Sequence, residues 1–161
     1  MHLVKTLPKK IVFLFILLNF SFLIIRPLET TIINKLNNTS ILIITTNNFD
    51  HKFLVELADT KIKRSHGLQG RHFLGMNNGM LFNFFKPTYI TMWMKDTKIP
   101  LDIIFINKNG EVTQIVTNTT PYSEKIIYSN QKVIAALEIN AGRAKELQIE
   151  KGNYVRHHIF N

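Results

Sequence analysis

The chain contains no cysteine, which excludes disulfide bridges, zinc–thiolate sites and cysteine nucleophiles. It also lacks the G-x-S-x-G turn of serine hydrolases, a glycine-rich phosphate loop and the H-E-x-x-H zinc motif. No recognised catalytic motif therefore assigns the chain to a class of hydrolases, nucleotide-binding proteins or zinc enzymes.

Acidic residues are scarce, since 11 Asp and Glu stand against 20 Lys and Arg and give a formal net charge of +9. Four of these cations (Lys5, Lys9, Lys10 and Arg26) precede the first acidic residue, Glu29. The others are spread along the chain without a run of five or six and without interleaved aromatic residues, the patterns typical of nucleic-acid binding. We therefore do not expect nucleic acid as a partner.

The N-terminus holds a long hydrophobic run. Residues 11–25 read IVFLFILLNFSFLII and follow three lysines, which is the order of a signal sequence. As a helix the run would span roughly 22 Å, less than the roughly 30 Å hydrocarbon core of a membrane. No A-x-A cleavage site follows it, so residues 1–27 are either a cleaved signal or a short membrane anchor, with a buried core helix as a third alternative. Both main alternatives predict an exported protein, in the periplasm or on the outer face of the inner membrane.

A length of 161 residues suits a single domain with an extension. Residues 28–40 are polar and show no periodicity, so we interpret them as a linker. After them, short β-like runs alternate with turn signals, at 41–46, 51–58, 79–84, 89–94, 101–106, 111–117, 133–139 and 153–160. The pattern predicts an all-β domain over residues 41–161, with two short helices, as a jelly-roll-like β-sandwich or an open barrel.

The local signals are specific enough to predict caps and a turn. Asp59 or Thr60 can cap a helical turn over KIKRSH that ends at Gly67, and Asn140 can cap a second turn over AGRAKEL. In INKNGE, residues 106–111, the glycine provides the positive φ of a three-residue hairpin loop.

The hairpin loop sets a register for the strands on either side of it. It places Asn107 opposite Glu111, and counting outward from there pairs Phe105 with Thr113. The alternation of the first strand then puts Asp102 on the same face as two isoleucines.

Four segments together resemble one known family. They are VELADTKIKRSHGLQGR, NNGMLFNF, WMKDTKIPLDIIFINKNGEV and LEINAGRAKELQIEKGN, and they follow the order of the bacterial and archaeal family called domain of unknown function 192. The resemblance covers about residues 53–156 and implies a compact β-rich, jelly-roll-like domain, often behind a signal sequence, without an established activity. The chain keeps the family's recurrent positions, which correspond to Glu56, Arg64, Gly67, Leu68, Arg71, Gly79, Met80, Phe82, Met94, Thr97, Pro100, Asp102, Glu138 and Gly142. It departs at Gln69, where methionine is common in the family.

The polar members Arg64, Arg71, Asp102 and Glu138 form the candidate ligand-binding set. Two guanidinium and two carboxyl groups could hold a polar or anionic ligand, such as a sugar or a peptide carboxylate, or act as a general acid and base. Alternatively, both carboxyl groups, which lie in predicted strands, are held by the arginines or by loop amides for structural reasons. We expect Arg64 or Arg71 to be the partner of Asp102.

Histidines and methionines are weaker candidates for a metal site. His157 and His158 are neighbours in a predicted strand, so they would point to opposite faces and could not easily share a metal ion. Met92 and Met94 would share a face and suit Cu(I) if a third ligand were present, although methionines also fill irregular cores. The sequence predicts no metal and no cofactor.

These observations favour an exported binding or accessory module of the cell envelope, with a polar or anionic small molecule, a glycan or a peptide as its partner. The membrane would be a second partner if residues 1–27 stay attached. One alternative is a hydrolase using Asp102 and Glu138, which requires carboxyl groups roughly 5–9.5 Å apart in an open cleft. Another is a purely structural envelope protein, which predicts no concave polar pocket.

Overall fold

The computed structural model describes residues 38–47 and 49–160. Within these residues it contains nine β-strands, two short helices and a final 3-10 turn over His158–Phe160. The strands are β1 (Thr39–Thr45), β2 (Asp50–Ala58), β3 (Asn78–Thr88), β4 (Thr91–Met92), β5 (Leu101–Ile106), β6 (Val112–Val116), β7 (Ile127–Tyr128), β8 (Val133–Asn140) and β9 (Tyr154–Arg156). The helices are α1 (Lys61–His66) and α2 (Arg143–Glu146). The predicted class, mostly β with two short helices, is confirmed.

Seven strands form one mixed sheet in the order β6, β5, β8, β3, β2, β1, β9, in which β2 and β3 run parallel and the other neighbours antiparallel. The two edges of this sheet meet after the β5–β6 turn. There Val112 donates its backbone N–H to Asn153 O at 2.9 Å, and Val155 donates to Gly110 O at 2.7 Å. The sheet is therefore curled into an open barrel, and β4 and β7 form a separate two-stranded ribbon.

Apolar side chains cover both faces of the curled sheet. The inner cluster includes Leu42, Ile44, Phe53, Val55, Leu81, Ile104, Ile106 and Val155. The outer cluster includes Ala58, Leu68, Met80, Phe82, Met92, Met94, Ile103 and Phe105. Because β5 is buried on both faces, its sequence is the nearly continuous apolar run LDIIFI.

Helix α1 has the predicted ends. The Thr60 hydroxyl accepts a hydrogen bond from the backbone N–H of Lys63, and Gly67 ends the helix with φ 52°. The second predicted cap is wrong, because Asn140 donates its side-chain amide to the backbone oxygens of Leu74 and Gly75, away from α2.

The β5–β6 hairpin has the predicted turn but a different register. Asn107 donates its N–H to Glu111 O at 3.0 Å, as expected. Phe105, however, pairs with Gln114 and not with Thr113, because a β-bulge inserts one extra residue into β6. The Thr113 hydroxyl donates to Phe105 O at 3.2 Å within this bulge.

The structure differs from the prediction in the C-terminal run and in one short strand. The predicted run 153–160 forms a strand only over Tyr154–Arg156. The 3-10 turn then brings the rings of His157 and His158 to 4.1 Å between centroids, so the expectation that they point to opposite faces is wrong. The short strand β7 was not predicted.

The N-terminal predictions for residues 1–27, and those for 28–37, lie outside the described residues. Strand β1 begins at Thr39, so the last two residues of the predicted linker belong to the sheet. In the part of the chain that the structure describes, no helix is long and apolar enough to cross a membrane.

Candidate functional site

A row of side chains crosses the outer face of the sheet. Glu56 of β2 is the register partner of Met80 of β3, which pairs with Glu138 of β8, which in turn pairs with Ile103 of β5. Register partners on neighbouring strands project from the same face. Glu56 and Glu138 therefore share this face, with Met80 between them.

Glu138 is a buried acid without a partner. The residue is only 4% exposed, and its carboxyl group makes no hydrogen bond or ion pair with any described residue. Burial disfavours the charged form and raises the pKa of Glu138 to about 8. At neutral pH this side chain is therefore mostly a neutral carboxylic acid, able to donate one hydrogen bond.

Glu138 lines a small cavity of about 50 Å³, which we call the acid pocket. Its walls come from α1 with the turn that follows, and from the segment around β4; they include Arg64, His66, Leu68, Gln69, Phe82, Met92, Trp93, Lys95 and Thr97. The end of α1 explains why these residues lie beside Glu138. Gly67 ends the helix against the Phe82 ring, and the chain turns there over the sheet.

The acid pocket shares Ser65, His66, Gln69, Trp93 and Lys95 with a wider groove. This groove has a volume of about 600 Å³ and is lined by Lys61, Ile62, Ser65, His66, Gln69, Trp93 and Lys95; we call it the α1 groove. A second depression of about 290 Å³ is lined by residues that include Arg64, Phe84, Trp93 and Ile126. Trp93 lines all three cavities.

Arg64 is held in the wall of the acid pocket by the protein backbone. Its Nη1 donates to Asp59 O at 2.9 Å and to Asn83 O at 2.8 Å, and its guanidinium lies 5.1 Å from the centre of the Phe84 ring. Its Nε and Nη2 atoms make no hydrogen bond with the described residues. Two donors of a fixed guanidinium thus remain for another molecule.

The site as a whole is cationic. Each of Lys61, Arg64 and Lys95 lines two of the three cavities. Glu138 is the only acidic residue among the lining residues described. The ammonium of Lys95 also lies 5.5 Å from the centre of the Trp93 ring. With Glu138 neutral, the groove attracts anions.

Arg71 is on the same face of the sheet but outside these cavities. It forms a bidentate pair with Glu56, with Nη1 to Oε1 at 2.6 Å and Nη2 to Oε2 at 2.5 Å. Both side chains are about one-third exposed, at 34% and 28%. The structure therefore gives Arg71 a protein partner, and its role in ligand binding stays a prediction.

Asp102 lies on the opposite face, fully buried. Its Oδ1 accepts a hydrogen bond from the backbone N–H of Asn118 at 2.9 Å, and its Oδ2 accepts one from Ala144 at 2.9 Å. The expectation that Arg64 or Arg71 is its partner is wrong, and two backbone amides, one in a loop and one in α2, hold the carboxyl group. The reason is the strand alternation, which turns Asp102 toward the inner cluster while both arginines lie on the outer face.

The same alternation contradicts a hydrolase built on Asp102 and Glu138. Asp102 pairs with Ile139 and Glu138 pairs with Ile103, so the two carboxyl groups project from opposite faces of the sheet. They cannot converge on one substrate in an open cleft.

Met92, Met94 and His157 belong to the packing of the domain. Met92 and Met94 lie in the outer cluster, where Met94 Sδ accepts a hydrogen bond from the Thr119 hydroxyl at 3.2 Å. Buried His157 contacts the Ser40 hydroxyl at 2.7 Å. Over residues 38–47 and 49–160, no group of three or more His, Cys, Asp or Glu side chains is arranged for a metal ion.

Sequence reasoning missed Trp93, Lys61 and Lys95 as site residues. One signal was available, because the alternation of Met92 and Met94 predicts that Trp93 points away from the core. It is indeed 42% exposed. A second signal is Ile62, an 82% exposed isoleucine on a helix that buries none of its residues.

Comparison with known proteins places the domain. The search of curated proteins found no match. A crystal structure of a Sinorhizobium meliloti 1021 protein, whose description proposes a transcription regulator, is 35% identical with a TM-score of 0.74, covering 75% of this chain and 95% of that one. A protein of unknown function from Novosphingobium aromaticivorans DSM 12444 is 37% identical with a TM-score of 0.72, covering 74% and 85% respectively. Residues 42–157 match the model of DUF192, described as “Uncharacterized ACR”, and the chain therefore belongs to this family.

Proposed function

We propose that this domain is a binding module for a small polar or anionic molecule, which lies in the α1 groove with one end in the acid pocket. The observation that carries the proposal is Glu138, a buried acid that no described residue satisfies. Its carboxyl group lines the acid pocket without a protein partner, and strongly shifted pKa values cluster at functional sites. A ligand that bonds to Glu138 would account for its position in an otherwise apolar strand.

The size and lining of the groove support the same function. Its volume of about 600 Å³ is within the usual range of small-molecule sites, roughly 300–1,000 Å³. The lining combines an aromatic ring, Trp93, with the cations Lys61 and Lys95. The alternative of a purely structural protein predicts no concave polar pocket, so the acid pocket beside the groove favours a binding function over it.

The cellular location is part of the proposal. The three lysines before the apolar run of residues 11–25 support export, so the ligand would be met in the cell envelope. Cell fractionation with mass measurement of the recovered chain tests this: we expect the protein in the periplasmic or membrane fraction. Recovery of the intact chain from the cytoplasm would contradict it.

DNA is a weaker candidate partner, although the description of the Sinorhizobium protein points to it. Helix α1 has six residues, and the groove cations do not form a stripe along a long helix of the kind that enters a major groove. A DNA duplex is therefore included below as a probe that should not bind at the groove.

The single tryptophan of the chain makes the test direct. Trp93 fluorescence of the full chain would be titrated with a panel of sugars, amino acids, organic acids, phosphate and a DNA duplex. We expect a saturable change with at least one small polar or anionic compound. Lys95→Ala should weaken that binding about tenfold, or 1.4 kcal/mol, because it removes a groove cation.

Controls separate binding from folding. Lys132→Ala removes an exposed lysine that does not line the groove and should bind like the parent chain. Arg64→Ala should lose binding while its circular dichroism stays native. If no compound in the panel gives a saturable change, or if only the duplex does, the proposal is wrong.

A further inference from the structure

We propose that the ligand's end group in the acid pocket is a single carboxylate, which accepts a hydrogen bond from protonated Glu138 and two from Arg64. The remainder of the molecule is an apolar or aromatic body that lies on Trp93 in the α1 groove. This inference rests on the proposed function and names its ligand class, small organic carboxylates.

The volume of the acid pocket limits the size of the end group. The acid pocket has a volume of about 50 Å³, against about 600 Å³ for the α1 groove. The smaller cavity favours a small end group, and a planar carboxylate, with three non-hydrogen atoms, is smaller than a phosphate group, with five.

The hydrogen-bonding groups of the pocket match a carboxylate. Arg64 has Nε and Nη2 without protein partners, and this edge of a guanidinium donates two parallel hydrogen bonds to a carboxylate. Glu138 supplies a third donor on the other side when it carries its proton. Arg64 and Glu138 line the same pocket without bonding to each other, so one end group in that pocket can contact both.

The charges around Glu138 argue against a cationic end group. Arg64 and His66 face the pocket from α1, and Lys95 faces it from the segment after β4. On the sheet itself, the charges of Glu56 and Arg71 beyond Met80 are paired with each other. An ammonium ion would meet this cationic surround, whereas a carboxylate is attracted by it.

The rim of the groove favours an apolar body. Trp93 is 42% exposed and Ile62 is 82% exposed, and both line the groove beside the pocket. A flat ring next to an exposed aliphatic side chain suits an aromatic or hydrocarbon body, because burying such surface is favourable by about 25 cal/mol per Å².

A matched series of probes tests the inference. Full-length protein would be titrated, with Trp93 fluorescence as the readout, using benzoate, benzamide, benzyl alcohol, benzylamine and phenyl phosphate. We expect benzoate to bind about tenfold more tightly than each of the other four. Binding of benzoate should weaken by about tenfold per pH unit above about pH 8, when Glu138 loses its proton.

Two variants at Glu138 identify the donor. Glu138→Gln keeps a neutral hydrogen-bond donor of the same shape, so we expect it to bind benzoate at neutral pH and to lose the weakening above pH 8. Glu138→Ala should bind benzoate about tenfold more weakly at all pH values. Glu150→Gln changes an exposed acid outside the groove and should follow the parent chain.

The outcomes distinguish the two proposals. Tighter binding of phenyl phosphate, benzylamine or a neutral probe would overturn the carboxylate inference and leave the proposed binding function in place. An unchanged pH profile in Glu138→Gln would overturn it as well. If none of the five probes changes Trp93 fluorescence, the inference is wrong, and the proposed function then depends on the broader panel described above.

Discussion

Asp102 and Glu138 lie on directly paired strands, one step apart in the register, and their surroundings are opposite in kind. Asp102 accepts hydrogen bonds from two backbone amides, so each of its carboxyl oxygens has a donor inside the core. Glu138 receives no such bonds, and burial raises its pKa to about 8. The face of the sheet on which each side chain falls thus decides whether the acid meets backbone donors or lines a cavity.

The unfolding free energy should therefore depend on pH through Glu138. The folded chain keeps this proton up to about pH 8, whereas the unfolded chain releases it near the ordinary value of 4.5. The stabilisation from the neutral acid is complete below about pH 4.5 and is lost as pH rises to about 8, by an amount on the order of a few kcal/mol. Urea denaturation between about pH 6.5 and pH 8.5 measures this loss.

The comparison for this prediction is Glu138→Gln, which should show a much flatter profile over the same range. The denaturation measurements begin at about pH 6.5 so that His157 does not contribute to the slope. Burial lowers the pKa of His157 to about 4, so protonation of this imidazole destabilises the fold as pH falls below 6.5. Equal slopes for the parent chain and Glu138→Gln would contradict the assignment of the pKa.

At the scale of elements, Asp102 connects three parts of the chain. It lies in β5, accepts from Asn118 in the loop after β6, and accepts from Ala144 in the first turn of α2. Helix α2 is four residues long, and Gly142, at its N-terminus, offers no side chain as a cap. Asp102 provides from another strand the acceptor that a capping side chain normally supplies.

Asp102→Ala should destabilise the domain by about 2–5 kcal/mol, because it leaves two backbone amides without an acceptor, one of them fully buried. Chemical denaturation measures the loss, and Glu124→Ala, at an exposed acid, should leave the stability unchanged. Ligand affinity at the α1 groove should survive in any folded Asp102→Ala protein, since the groove is on the other face. A stability loss no larger than that of Glu124→Ala would contradict the structural role.

The first and last strands of the domain are paired with each other. β9 pairs with β1 and also bonds to the turn before β6, so the C-terminal strand joins the two edges of the curled sheet. The described members of both apolar clusters lie between Leu42 and Phe160.

A fragment of residues 38–161 should therefore fold by itself with the melting temperature of the full chain. Near-ultraviolet circular dichroism of its single tryptophan and thermal unfolding measure this. A shorter fragment that ends at residue 152 is the matched comparison, and we expect it to melt at a much lower temperature because it lacks β9. Loss of the near-ultraviolet signal in the 38–161 fragment would show that the preceding residues are needed for the fold.

Local sequence was enough to predict the β class, the extent of β5, a cap of α1 at Asp59 or Thr60, and the end of α1 at Gly67. Each depends on the period of apolar residues or on one to four neighbouring positions, which a linear pattern records. Local sequence could not predict the bulge at Thr113 or the strand β7. Both depend on pairing with another strand, β5 for the bulge and β4 for β7.

The site was predictable only as a set of residues. The sequence, with its family resemblance, selected Arg64, Arg71, Asp102 and Glu138 as candidate positions, and strand alternation placed Asp102 on one face with Ile104. Only the tertiary structure decided that Arg64 and Glu138 line one pocket while Asp102 binds amides behind the sheet. The physical reason is the strand order β5, β8, β3, β2, which brings together residues distant in the chain and assigns each a face, and no local pattern encodes that order.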